Sequence, residues 1–183
     1  MKKVIILTLI FVTFSSIMSL EIAGVSFLEN QEFVENKLVL NGAGLRKKFV
    51  IKVYACGLYL KEKNNNIDEI INSDVPMAIK MHFLYKNVPK EKLISAWNKG
   101  FEHYKNKKIL VKEIARFNSF FKYDAHKNDI YEFVYTPRKG VDVIFNDELI
   151  GTVGGIEFKK ALFSIWLGEK TNLPKLKAKL LGN

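Results

Sequence analysis

A single cysteine, Cys56, in 183 residues leaves no internal disulfide framework and no Cys-rich zinc or iron–sulfur site. The three histidines, His82, His103 and His126, lie far apart and lack metal-ligand spacing, so no metal is expected. With 4 prolines and 11 glycines the chain has neither a fibrous nor a low-complexity composition. It also lacks a nucleophile elbow, a P-loop, a dinucleotide fingerprint and a metal-binding helix motif, so no cofactor is expected. The nearest approach to a phosphate loop is Gly151-Thr152-Val153-Gly154-Gly155. Without the lysine and spacing of a P-loop, it reads as a tight turn between a strand and a helix.

What is present is a globular composition, 48% hydrophobic and 26% charged, at a length that favours one domain. The start has the three parts of a secretory signal: basic Met1-Lys2-Lys3, an uncharged run from Val4 to Phe14, and Ser15-Ser16-Ile17-Met18-Ser19 as a cleavage region, with cutting expected after Ser19. The run is shorter than the roughly 20 residues that span a bilayer, and an uncleaved N-terminal anchor is the competing reading. No later segment is long and apolar enough to be transmembrane, so the mature protein is expected to be exported and periplasmic, not membrane-spanning. Without Lys2 and Lys3 the balance is 27 basic against 19 acidic residues, a net charge of +8. The densest basic runs, at residues 90–92, 105–108 and 175–179, sit on or beside expected helices and read as solvated faces. They carry no nucleic-acid motif, so no nucleic-acid partner is expected; a loose association with an anionic membrane surface stays open.

Periodicity gives the elements. Glu21–Phe27 and Lys37–Asn41 read as short strands around a polar turn at Glu29-Asn30-Gln31. Phe49 to Leu60 is rich in β-branched and aromatic residues and reads as one long strand, too apolar on both faces for a sheet with a wet side. Pro76–Tyr85 alternates as a strand, with Met77, Ile79, Met81 and Phe83 on one face. Pro89 suits a first helical position, and Leu93, Trp97, Phe101 and Tyr104 recur behind it at helical spacing. Leu110 to Phe121 repeats that pattern. Strands follow at Asp129–Thr136, Val141–Asn146 and Glu148–Val153, then helices from Glu157 to Gly168 and from Pro174. Runs of strands and helices segregated in this way predict α+β, with helices layered on an antiparallel sheet.

Two groups could carry chemistry. Cys56, among large apolar neighbours mid-strand, reads as a buried and inert thiol. Arg46 enters the long strand behind Asn41-Gly42-Ala43-Gly44-Leu45, and along an unbroken strand it would share a face with Tyr54. A guanidinium at the end of an apolar surface can grip a carboxylate or phenolate in two-pronged fashion; it reads equally as a surface cation at a strand start.

Asn41-Gly42-Ala43-Gly44-Leu45-Arg46, followed by Ile51 to Leu60, resembles the signature of the chalcone isomerase family, and Glu157 to Gly168 resembles that family's late helix. The likeness covers nearly the whole mature chain and is greatest to the bacterial chalcone-isomerase-like branch, whose members often carry a signal peptide. It implies residues 1–19 as the signal and 20–183 as one domain, an open-faced β-sandwich in which a large antiparallel sheet is covered by a helix layer. Plant members close a chalcone into a flavanone by adding a phenolate to an enone, related members bind fatty acids without chemistry, and others are auxiliary proteins. By resemblance the ligand lies between the long strands and the helices, with Arg46 matching the arginine that holds its anionic group.

The rest of the plant enzymes' polar set is largely missing. Tyr54 falls where they have a threonine, Pro89 and Ala96 where they have tyrosine and asparagine, and Ile165, beside Trp166, where they have threonine or serine. The leading expectation is therefore a non-catalytic binder of a small apolar or aromatic acid, fatty-acid-like, with Arg46, Tyr54, Ile165 and Trp166 as ligand-binding residues. The alternatives are an intramolecular lyase in which Arg46 and Tyr54 act catalytically, and an envelope accessory protein with a vestigial pocket.

Overall fold

A computed structural model describes residues 18–183; the apolar run of the expected signal lies outside the described residues. In chain order the elements are β1 (Ser19–Ile22), β2 (Val25–Leu28), β3 (Asn30–Phe33), β4 (Asn36–Lys48), β5 (Ile51–Leu60), α1 (Ile67–Asn72), β6 (Met77–Phe83), β7 (Asn87–Val88) and α2 (Lys90–Phe101). A 3-10 turn (Lys107–Leu110) then leads into α3 (Val111–Asn118), followed by β8 (Ala125–His126), β9 (Ile130–Thr136), β10 (Gly140–Phe145), β11 (Glu148–Val153), α4 (Ile156–Leu167) and α5 (Pro174–Leu180). Seven strands form one sheet in the order β11-β10-β9-β6-β5-β4-β3, every neighbouring pair antiparallel.

Side-chain alternation sorts this sheet into two buried faces. Met77, Ile79, Met81 and Phe83 of β6 and Tyr131, Phe133 and Tyr135 of β9 point to the helices. Ala78 and Val134 from the same strands join Ala55 and Tyr59 on the opposite face, where Val25, Phe27, Phe33, Leu38 and Leu40 cover them. The long apolar strand is thus buried on both sides, by helices on one and by the β1–β2 hairpin and its neighbours on the other. Helix α4 is apolar nearly all round because it lies inside the helix layer, with Phe158, Leu162, Phe163, Trp166 and Leu167 all fully buried. This is the expected α+β, open-faced architecture.

Several expected boundaries are corrected. Phe49 to Leu60 is not one strand: β4 runs to Lys48, the chain turns at Phe49-Val50, and β5 starts at Ile51. No glycine or asparagine marks that turn, and Phe49 itself takes φ +54°. Glu21–Phe27 is likewise a hairpin, turning at Ala23-Gly24 with both residues at positive φ. The polar stretch at Asn30-Gln31 is the edge strand β3 rather than a turn, and Pro89 stands just before α2 instead of at its first position. Gly151 to Val153 lie in β11 itself, and only Gly154-Gly155 link it to α4. Two histidines have neighbours that the sequence does not show: His103 Nε2 is 3.3 Å from Asn172 Nδ2, and His126 Nδ1 is 3.8 Å from an Asp129 carboxylate oxygen.

Candidate functional site

The β4–β5 hairpin sets Arg46 directly opposite Tyr54. The two residues therefore share the helix-facing side across a ladder, not along one strand, and a register shift after Arg46 ends the regular pairing there. Arg46 is half-buried and its Nη1 donates to the Lys47 carbonyl. No described carboxylate forms an ion pair with it.

Tyr54 is buried against Phe83, with ring centroids 5.7 Å apart, and its hydroxyl accepts a hydrogen bond from Trp166 Nε1 at 3.2 Å. Burial pushes this phenol well above its ordinary value and the nearby Cys56 adds to the rise; the Trp166 hydrogen bond and the Arg46 charge work against it. Trp166 is fully buried, packed 5.7 Å from both Trp97 and Phe133. Arg46, Tyr54 and Trp166 thus form one series from the sheet end into the aromatic interior. Ile165 faces elsewhere: a Cβ added at Gly100 of α2 would come within 2.8 Å of its Cγ1, so it belongs to the α2–α4 contact.

Pro89 and Ala96 bring no side-chain polar group to this interior, and Ala96 is exposed on α2. The residue that does reach in from α2 is Trp97, packed against Phe117, Phe121, Phe133 and Trp166, with its buried indole N–H unpartnered. In the sequence it is only one apolar position of an amphipathic helix, and nothing there signals a free donor. Cys56 is fully buried and its thiol is raised by that burial. Among the described residues no group of three or more His, Cys, Asp or Glu is placed to hold a metal ion. Two open depressions, of about 530 Å³ along the outer side of α2 and about 220 Å³ between β1 and the Leu40–Gly42 stretch of β4, are lined by none of Arg46, Tyr54, Ile165 or Trp166.

A second polar feature has no sequence signal. Lys159 of α4 is fully buried, and its ammonium donates to the carbonyls of Ile70, Ile71 and Ser73 at 2.9, 2.8 and 2.9 Å, closing the C-terminal end of α1. Its pKa is lowered to about 8, chiefly by burial, with the Lys160 charge adding to the fall and Asp74 opposing it. Between about pH 8 and the ordinary lysine value of 10.5 this side chain holds more protons unfolded than folded, so its own contribution makes stability rise with pH there. Buried Tyr54, Tyr59, Tyr131 and Tyr135 are all raised by burial from 10.0, so above pH 10 the unfolded chain ionises first and stability falls. The Cys56 thiol, raised by burial from 9.0, opposes the Lys159 rise above about pH 9, so urea midpoints are expected to climb from pH 8 to about 9, level off, and drop above 10. Lys159→Met should lose the climb and keep the drop; a variant that retained the climb would assign it to another group.

Set beside known proteins, residues 19–182 match the family model described as chalcone isomerase-like. No curated protein matches the chain. Among solved structures the chain is similar to the crystal structure of an Arabidopsis thaliana fatty-acid binding protein, at a TM-score of 0.74 and 18% identity, over 90% of this chain and 96% of that one. At that identity the likeness speaks for the fold. The family match spans every described element, from the β1–β2 hairpin to α5, and the chain belongs to the chalcone isomerase-like family.

Proposed function

We propose that this protein is a non-catalytic binder of a small apolar acid, fatty-acid-like, whose carboxylate meets Arg46 and whose tail enters among the aromatic side chains between sheet and helices. The observation that carries the reading is a half-buried guanidinium, free of any described carboxylate, at the edge of the helix-facing apolar core. Such a cation favours an anion over water, and a planar carboxylate fits its fork. The fatty-acid binding protein with the same fold supports this class of ligand. Tyr54 stands between Arg46 and Trp166, so a tail enters by parting the Tyr54–Trp166 hydrogen bond, and the unpartnered Trp97 N–H lies beyond it.

Catalysis is disfavoured by the same groups. The Tyr54 phenol is held neutral by burial, the Cys56 thiol is equally suppressed, and Pro89 and Ala96 offer no side-chain donor. Export and a place in the bacterial exported branch of the family belong to this reading too, supported by the basic start and the uncharged run to Phe14. N-terminal sequencing of the mature protein should begin near Leu20; an intact Met1 would refute it.

The test is titration with oleate, read by the emission of Trp97 and Trp166. Arg46→Gln should weaken binding by roughly 10- to 100-fold, the worth of a charge-assisted hydrogen bond. Its thermal stability should stay at the wild-type value, because the arginine has no acidic partner to strand. Equal affinity in the variant, or turnover of a chalcone by the wild type, would overturn the proposal.

A further inference from the structure

The turn joining β4 and β5 combines three features that each work against folding stability. Phe49 and Val50 are 91% and 93% exposed, and Ile51 beside them is exposed as well. Phe49 holds φ +54°, a region costly for a bulky side chain and normally left to glycine or asparagine in a two-residue hairpin. Lys47 lies directly opposite Lys52 in the register, so two like charges face each other, with exposed Lys48 between them and the tip. None of these lysines pairs with a described carboxylate. Local choices that oppose the fold at several levels at once are expected at functional sites.

The tip also outruns the sheet. Pairing between β5 and β6 stops at Tyr54–Phe83, and Val53 then accepts from the backbone N–H groups of Leu84 and Tyr85 at 2.9 and 3.2 Å. Residues 47–52 project past that point. At its base the chain presents exposed Lys86 and Lys127, whose backbones meet at 3.4 Å, while the acidic Asp147-Glu148 turn lies three strands further along. An apolar point ringed by cations fits a bilayer with anionic headgroups: the Phe-Val tip enters the headgroup and acyl boundary, and the lysines meet lipid phosphates.

We infer that the Phe49-Val50 tip docks the protein on an anionic phospholipid bilayer, with Lys47, Lys48 and Lys52 as the electrostatic collar. Docking in this way turns the sheet end that carries Arg46 towards the membrane. The inference stands whether or not Arg46 holds an acid, because no tip residue belongs to that site.

The experiment uses residues 18–183, which contain both hydrophobic clusters and all of the sheet, so that the leader contributes no binding of its own. Sedimentation with phosphatidylcholine vesicles containing 30% phosphatidylglycerol should capture the protein, and pure phosphatidylcholine should not. The double variant Phe49→Asn, Val50→Gly installs a favoured hairpin turn, so it should fold at least as well as the wild type. It should bind about tenfold more weakly or worse. Lys47→Ser, Lys48→Ser and Lys52→Ser together should lose roughly 100-fold, at about fivefold per lysine. Phe49→Trp should shift its emission to the blue on binding and be quenched by brominated acyl chains. Vesicle capture unchanged in the Asn-Gly variant would overturn the inference. So would retention on a heparin column without vesicle capture, or a dimer in sedimentation velocity that the Asn-Gly variant abolishes while vesicles capture nothing.

Discussion

Trp166→Ala is expected to lower stability by about 4 kcal/mol, the upper range for emptying a fully buried aromatic site. Trp166 packs on Trp97 and Phe133 and donates its indole N–H to Tyr54, so the substitution opens a void and strands the Tyr54 hydroxyl at once. The surrounding rings belong to α2, β5 and β9, and no single shift closes the gap. Denaturant unfolding measures the loss. The same variant should bind oleate more tightly than the wild type, because the space that a tail must open is already open. Opposite signs for stability and affinity are the specific expectation. A loss below about 1 kcal/mol would mean that this interior is not closed over Trp166.

Gly42→Ala should cost about 3 kcal/mol or prevent folding, through overpacking against backbone. A Cβ there would come within 2.8 Å of the Leu180 carbonyl oxygen and closer still to that of Lys179. Both are main-chain atoms of α5, which Asn41 fixes in place by donating to the Leu180 carbonyl at 2.8 Å. Gly44→Ala probes the same contact two residues on. Its Cβ would come within 2.7 Å of Lys179 Cβ, an atom that moves only with the α5 backbone, so the cost should be about 2 kcal/mol. A cost near zero at either position would refute the account of α5 resting on the β4 backbone.

Those two glycines show what the sequence made legible and what it hid. Asn41 to Arg46 stands out as a signature, yet its glycines serve the approach of α5, and Arg46 alone of the six carries a charge, set opposite Tyr54. The alternation in Met77–Phe83 and Ile130–Thr136 was readable because each face buries its own set, which keeps the period of two intact. The turn at Phe49-Val50 was not readable, because turn prediction relies on residues that relieve strain and here the strain is kept. An unbroken strand would put Arg46 and Tyr54 on one face; the hairpin instead brings them opposite each other across two strands. Lys159 and Trp97 were invisible as polar features, since one looks like a surface lysine and the other like core until their neighbours are known.

The most direct measurement of the central claim is native mass spectrometry of the protein purified from its own compartment, followed by lipid analysis after denaturation. The account predicts a co-purifying apolar acid in the wild type and its disappearance in Arg46→Gln. An acid retained at the same occupancy by Arg46→Gln would contradict the assignment of Arg46 as its partner.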